Sequence, residues 1–517
     1  MGTEMMSLKK QILKGTVILA AAGLVTRLLG LYNRVFLANV IGAAQLGIYQ
    51  LIFPVFMVCN AICCSGIETS LSRLVAAYGS RNCHGNIRRL VKLAVGVSLL
   101  AAGVLALIVF VLAEPISVYL LKEPQTAACL RVMAPVVVFS TAHSCVLGYF
   151  YGLKRTVVPA TSQLLEQICR VTAIYILSVT LFSGNTAGAV LAVCGMVAGD
   201  GISCIYTLIS YKIHVRRLDR HALCDNDGAD GRLASYGYLF RQLMHDAVPL
   251  TANRLSLTML QSLESILIPA MMKLYYDSSD QALEIYGVVT GMALPFIMFP
   301  NTLTNSLASM LLPTVAEAAE RRDFALIRRA VSKSLHYCLI IGVMSMGVFL
   351  LYGNGLGMAF FKNEMAGQLL TLFAFLCPFM YLSSMLSSVL NGLGKTQLTL
   401  LHNVLSVGVR IGFIVALVPK MGISGYLWGL MAANLLLALL HIIRIAHISG
   451  IRFHVVKSLL VPVGAVALAG FLSLGIYRYM LTSFTLPALI VIVIACIVLC
   501  AAYGFVMLIT GCLNIKS

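Results

Sequence analysis

The chain has 517 residues, of which 60% are hydrophobic and only 11% charged, with a mean hydropathy of +0.93 and a formal net charge of +18. That composition excludes a soluble globular domain and points to an all-α protein that crosses a membrane many times. The basic excess suggests nucleic acid at first, but its placement along the chain makes it a topology signal instead, and no nucleic-acid partner is expected.

Apolar runs between charged or Gly/Pro punctuation give about fourteen spans. They lie near 15–39, 47–72, 90–113, 127–151, 157–182, 187–211, 243–272, 283–313, 325–352, 367–393, 397–418, 424–448, 455–477 and 485–511. The first, GTVILAAAGLVTRLLGLYNRVFLAN, is long enough to cross a bilayer, which takes roughly 20 apolar residues. Arg27 and Arg34 stand seven residues apart in it, almost two turns, so both project from nearly one stripe. A charge at membrane depth costs at least roughly 2.5 kcal/mol and usually faces a watery cavity or a partner. This helix is therefore expected to line a polar cavity. No cleavable signal is expected, because the run is too long for an h-region and no small-residue cleavage site follows it.

Further along, Glu68 lies at membrane depth in the second span, and Arg73 stands near its cytoplasmic end, where it can snorkel. His143 in the fourth span is read as a satisfied buried histidine rather than a proton carrier. Glu166 and Arg170 in the fifth are at i and i+4 and can pair with each other, which competes with a substrate role for Arg170. Asp200 is a further acid near membrane depth, in the sixth. The longest polar stretch, Lys212 to Arg241, reads as a cytoplasmic linker. Its CDNDGADG, Cys224 to Gly231, lacks the spacing and downstream glutamate of a calcium loop.

The seventh span, PLTANRLSLTMLQSLESILIP, puts Arg254 and Gln261 seven apart on nearly one stripe, with Glu264 three residues beyond. Glu264 is expected either to pair with Arg27 or to serve as a gate or cation site. Helix breakers stand at Pro54, Pro135, Pro249, Pro295, Pro300 and Pro378, and the two in the eighth span suggest a bent helix near a cavity mouth. Arg410, in the eleventh, has Ser406 where Glu166 precedes Arg170, and is the better substrate candidate of the two. The last two spans, Phe453 to Cys512, carry almost no charge and suit membrane packing or, more sharply, a groove for a lipid tail.

With the N-terminus inside, 25 of the 37 Lys and Arg fall in cytoplasmic segments, six fall outside, and six lie within spans: Arg27, Arg34, Arg73, Arg170, Arg254 and Arg410. The asymmetry places both termini in the cytoplasm and leaves a basic surface for anionic lipid headgroups. All six within spans are arginines, the residue suited to bidentate capture of phosphate, which points to an anionic substrate. The fifteen cysteines have no paired spacing and read as small reduced core residues, not disulfides or metal ligands.

Two halves repeat. YGLKRTVVPATSQLLEQICRV, from Tyr151, and NGLGKTQLTLLHNVLSVGVRI, from Asn391, align at a shift of 240 that pairs Gly152 with Gly392 and Arg170 with Arg410. A shift of 237 pairs Ile48-Tyr49 with Ile285-Tyr286 and Ser72-x-Leu74 with Ser309-x-Leu311. Six spans followed by six make parallel, pseudo-symmetric lobes, and such transporters hold substrate between them near mid-bilayer. The expected organisation is an N-lobe over 1–211, a linker over 212–242, a C-lobe over 243–452, and two extra helices with a tail over 453–517.

KGTVILAAAGLVTRLLGLYNRVFLANVIGAAQLGIYQLIFPVF and CCSGIETSLSRLVAAY, with SLESILIP from Ser262 and LLPTVAEA from Leu311, resemble the stage V sporulation protein B group. That group belongs to the polysaccharide-transporter branch of the multidrug/oligosaccharidyl-lipid/polysaccharide exporter superfamily. The resemblance covers the full length. It implies two six-helix lobes in a V, two extra helices, and alternating access around a central cavity. It also implies flipping of an undecaprenyl-pyrophosphate-linked glycan, a peptidoglycan precursor for the spore cortex, across the cytoplasmic membrane.

The related lipid II flippases carry essential arginines in an Arg-x-Leu-Gly motif, which matches Arg27-Leu-Leu-Gly30 and carries that role to Arg27. Six residues on, where those flippases have an arginine followed by an acid, this chain has Asn33-Arg34; Arg34 is expected to face the same cavity.

The combined expectation is a pyrophosphate clamp of Arg27, Arg34, Arg254 and Arg410, with Arg170, Asn33 and Gln261 as further substrate contacts. Glu264, Glu166 and Glu68 are the gating or ion-coupling candidates. No cofactor or metal is expected; a coupling cation (Na+ or H+) or the membrane potential supplies the drive. Expected partners are the lipid-linked oligosaccharide, membrane lipids and cell-wall synthesis proteins. No P-loop, GxSxG or HExxH is present, so an enzyme is not expected. The rival readings are a cation-coupled multidrug exporter of the same fold, which would want an acid-dominated cavity, a membrane-embedded glycosyltransferase, and a non-transporting scaffold for cell-wall assembly.

Overall fold

The computed structural model describes residues 2–80, 83–180, 188–224, 234–276, 278–450, 459–483 and 487–512; the side chains of 2–21, 217–224, Met310 and Ser449 are outside that description, as is nearly all of CDNDGADG. Every regular element among the described residues is helical. The first helix, α1 (Gly2–Leu51), is broken at Gly42, where φ 76° and ψ 172° leave the helical region. Glycine reaches that conformation without steric cost. The break separates the first two expected spans. The second continues through α2 (Phe53–Asn60), a π-helical turn at Ala61–Ser65, and α3 (Gly66–Gly79).

Eleven described helices are long and apolar enough to cross a membrane, and Ser279–Ile297 with Asn301–Glu320 forms a further span bent by 56°. The bend falls between Pro295 and Pro300, where the ring removes a helical donor. The first of the eleven runs from Ala22 to Gly79. Its 58 residues would reach about 87 Å at helical rise, nearly three hydrocarbon cores, so the Gly42 break divides it into two spans. The helix over the fifth span, Val157–Thr180, is not among the eleven and holds Glu166 and Arg170. The count is consistent with fourteen.

Two compact units divide the chain: Met1–Asn33 with Val40–Ile266, and Arg34–Asn39 with Leu267–Ser517. The first unit continues with α4 (His84–Val111), the short α5 (Ala113–Pro115), α6 (Thr126–Gly152), α7 (Val157–Thr180), α8 (Gly188–Cys224) and α9 (Tyr236–Met272). Leu71, Leu90 and Phe150 share one buried core with Leu239, Leu243 and Ala247 of α9. A Cβ on Gly66 would collide with the Thr251 side chain and the Ala247 carbonyl, so the missing side chain lets α3 and α9 meet almost backbone to backbone. The Tyr78 hydroxyl donates to Gln242 Oε1 at 2.8 Å. Arg89 donates to the Ala234 carbonyl at 3.0 Å and lies 5.1 Å from the Tyr236 ring centre, so the chain leaving the polar linker is tied to α3 and α4.

The second unit holds α10 (Ser279–Gly287), α11 (Leu294–Ile297), α12 (Asn301–Glu320), α13 (Phe324–Leu356), α14 (Glu364–Phe373), α15 (Cys377–Gly392), α16 (Thr396–Met421), α17 (Ile423–Ser449), α18 (Val461–Ser483) and α19 (Ala488–Ile509). Side-chain caps start three of them: Ser278, Asp323 and Asn363 each accept from a backbone amide three residues on. Helix α13 is the hub, packed by α12, α14, α15, α18 and α19. The last two helices are bound to it by buried polar contacts. Tyr352 Oη and Ser473 Oγ are 2.5 Å apart, Ser473 donates to the Ala495 carbonyl, and Tyr503 donates to the Ile340 carbonyl at 3.0 Å. Each satisfies a hydroxyl that lipid would leave bare.

The duplication is visible in backbone detail. Left-handed residues recur at a shift of 240, Lys122 with Lys362 and Lys154 with Gly394. The three hydrogen bonds closing the α6–α7 turn, to the carbonyls of Tyr149, Tyr151 and Phe150, recur at Val389, Asn391 and Leu390.

Candidate functional site

The first unit contains a cavity of 520 Å³ walled by α2–α3, α6 and α9. From Met57 to Thr69 the lining positions recur at spacings of three and four, and α9 repeats the pattern from Leu250 to Thr258. Each helix thus presents one stripe. The π-helical turn lies in the middle of the first stripe and adds a residue there, a device common at functional sites. Glu68 faces this cavity from α3 and Arg254 from α9. Neither side chain has an ion pair or hydrogen bond among the described residues. Between them the lining is uncharged, with Asn60, Ser65, Thr69, Ser144, Asn253 and Thr258 interspersed among Met57, Ala61, Cys64, Leu250 and Leu257.

Arg170 sits in a different setting. It donates to Glu166 Oε1 at 2.6 Å and to Asp200 Oδ2 at 3.0 Å, and all three side chains are at most 19% exposed. A Cβ on Gly199 would stand 2.8 Å from the Glu166 carbonyl, so its absence lets α8 close on α7 and deliver Asp200 to the guanidinium. One cation held by two acids is a self-contained network, so Arg170 and Glu166 are committed to each other in this structure.

The other expected site residues are distributed between the units. Arg27 is exposed on α1 and makes no ion pair among the described residues, with Glu264 or otherwise. Asn33 is 6% exposed, Gln261 is exposed, and Glu264 is 6% exposed, all in the first unit. Arg34 and Arg410 are half-buried and belong to the second. Of the seven substrate candidates, only Arg254 lines the cavity, and of the three acids only Glu68 does. Ser406, in the place of Glu166, donates to the Ala433 carbonyl at 3.1 Å. His143 is a buried histidine 3.3 Å from the Thr207 hydroxyl, in keeping with a satisfied side chain. Arg73 meets Asp246 at 3.8 Å on an exposed face.

The fourteen described cysteines are free, and no group of three His, Cys, Asp or Glu able to hold a metal occurs among the described residues.

Sequence reading passed over most of the cavity's uncharged lining. The signal was present: Asn60, Ser65 and Thr69 interrupt the apolar second span on the Glu68 face, as Asn253 and Thr258 flank Arg254. Single hydroxyls and amides in apolar spans are common packing devices, so only the pairing of two such stripes across α3 and α9 singles these out.

The family described as polysaccharide biosynthesis protein matches residues 12–319. Stage V sporulation protein B of Bacillus subtilis (strain 168) is 26% identical over 480 residues, covering 91% of this chain and 90% of that protein. Lipid II flippase MurJ of the same organism is 22% identical over 444 residues, 81% of this chain and 79% of that one. Among solved structures, lipid II flippase MurJ in an inward closed conformation superposes with a TM-score of 0.69 at 14% identity, covering 96% of this chain and 99% of that one, a likeness of fold.

Proposed function

The chain belongs to the polysaccharide biosynthesis protein family, and from that premise we propose that it is a flippase for an undecaprenyl-pyrophosphate-linked glycan, of the lipid II type, acting by alternating access in spore-cortex synthesis. It lies within the multidrug/oligosaccharidyl-lipid/polysaccharide exporter superfamily and is a multi-pass membrane protein. The observation that carries the proposal is Arg254 facing a 520 Å³ cavity with no ion-pair partner among the described residues. A guanidinium at membrane depth that makes no direct ion pair is costly unless a ligand meets it, and its planar fork suits a pyrophosphate.

Arg27 supports the same reading: it is exposed, without an ion pair, and stands in the Arg-x-Leu-Gly pattern. A cation gradient or the membrane potential supplies the proposed drive. Arg170 is better assigned to holding α7 against α8.

The test is binding. Native mass spectrometry of the purified protein with an undecaprenyl-pyrophosphate glycan should show affinity weakened by about tenfold or more, ~1.4 kcal/mol, in Arg254→Ala. Equal affinity in the variant would remove Arg254 from the clamp.

A further inference from the structure

The two long walls of the cavity differ in charge, Glu68 standing on α3 and Arg254 on α9, whose Thr258 hydroxyl donates to the Arg254 carbonyl at 2.9 Å. On the α2–α3 wall, the Ser65 hydroxyl donates to the Ala61 carbonyl at 2.8 Å and the Thr69 hydroxyl to the Ser65 carbonyl at 3.0 Å. A hydroxyl whose proton is spent on its own helix offers only lone pairs to what lies in front of it. Asn60 Oδ1 is buried with no hydrogen-bond partner among the described residues. Glu68 stands one turn from Ser65 and beside Thr69, and contributes two more acceptor oxygens and the wall's only formal charge. Every oxygen named on this wall can accept, and Arg254, the one cation among the described lining residues, projects from α9.

From this we propose a cation subsite on the α3 wall: Glu68, with the Ser65 and Thr69 oxygens, binds a monovalent cationic group beside the anion held by Arg254. The cavity then fits a ligand with charges of both signs. The cationic group is either an ammonium carried by the transported molecule, such as a free amine on its glycan or peptide, or a free ion that enters with it. The first source rests on the flippase reading; the subsite itself does not.

The binding arm requires no transport. The full-length protein in lipid nanodiscs is titrated with methylammonium chloride or sodium chloride, with N-methylglucamine chloride as the bulky control at constant ionic strength, and its melting temperature is followed. A saturable rise above the control is expected in the wild type. In Glu68→Gln the response should need at least about tenfold more cation, and Arg254→Gln, which removes a like charge, should need less than the wild type. Should Glu68→Gln fail to fold, Ser65→Ala combined with Thr69→Val makes the same comparison, because it removes acceptors and keeps the carboxylate; its response should be weaker. No rise in the wild type, or an equal one in the variants, overturns the subsite.

The transport arm separates the sources, using liposomes with a lipid-linked glycan bearing a free amine or its N-acetylated form. A preference for the amine that Glu68→Gln abolishes assigns the substrate's ammonium. A sodium requirement shared by both forms and abolished by Glu68→Gln assigns a free ion. A protein that responds to methylammonium or sodium but flips neither glycan would contradict the flippase reading while the subsite stands.

Discussion

Two arginines at membrane depth illustrate how the same side chain takes opposite roles. Arg170 has Glu166 and Asp200 within 3.0 Å, whereas Arg254 has only a cavity before it. Arg170→Ala would leave two mostly buried acids without their cation, and we expect a loss of about 3–5 kcal/mol in stability, measured by thermal or denaturant unfolding in detergent. Arg254→Ala leaves no buried acid unpaired in the described residues, so it should melt within a few degrees of wild type. Equal destabilisation by both would refute the division. The Glu166–Arg170 pair was legible in the sequence, because i,i+4 spacing on a helix brings the two together whatever surrounds them. Asp200 was not: it comes from another helix, and only the close approach at Gly199 delivers it. Which arginines reach the cavity was equally hidden, since periodicity gives the stripe a residue occupies and not what that stripe faces.

Among elements, α3 and α9 build the cavity, and their separation is set by Gly66. Gly66→Leu must push α9 away, because the obstructing Ala247 carbonyl is backbone and cannot rotate aside. A cost of about 1–3 kcal/mol is expected, together with weakened glycan binding, read by unfolding and by native mass spectrometry. Wild-type stability and binding in Gly66→Leu would show that the helices have slack. The last two helices are a separate case. Their apolarity gave the spans, while the buried hydroxyl contacts that tie α18 to α13 and α19, and α19 to α13, were not legible in it. Tyr503→Phe, which removes the hydroxyl bonded to the Ile340 carbonyl, should cost about 0.5–1.5 kcal/mol without altering glycan binding. The eighth-span bend was readable from Pro295 and Pro300, since proline's missing donor acts locally. The π-helical turn at Ala61–Ser65 carries no such residue, and nothing in its composition announces it.

At the scale of the whole molecule, the positive-inside asymmetry predicts that both termini are cytoplasmic: reporters fused at either end should be active only as cytoplasmic ones, and a periplasm-type reporter active at the C-terminus would reverse the topology. The duplication was legible because a shift of 240 matched side chains, and the recurring left-handed residues at Lys154 and Gly394 show that the backbone kept the repeat after the residue type changed. The central claim is that an arginine facing the cavity holds the pyrophosphate of a lipid-linked glycan while it crosses. The measurement that tests it most directly is translocation of fluorescent lipid II in liposomes reconstituted with wild type, Arg254→Ala or Arg27→Ala, under an imposed potential or sodium gradient. Translocation by the wild type is expected, with a loss of at least about tenfold in each variant at equal protein incorporation. Variants that translocate at the wild-type rate would contradict it.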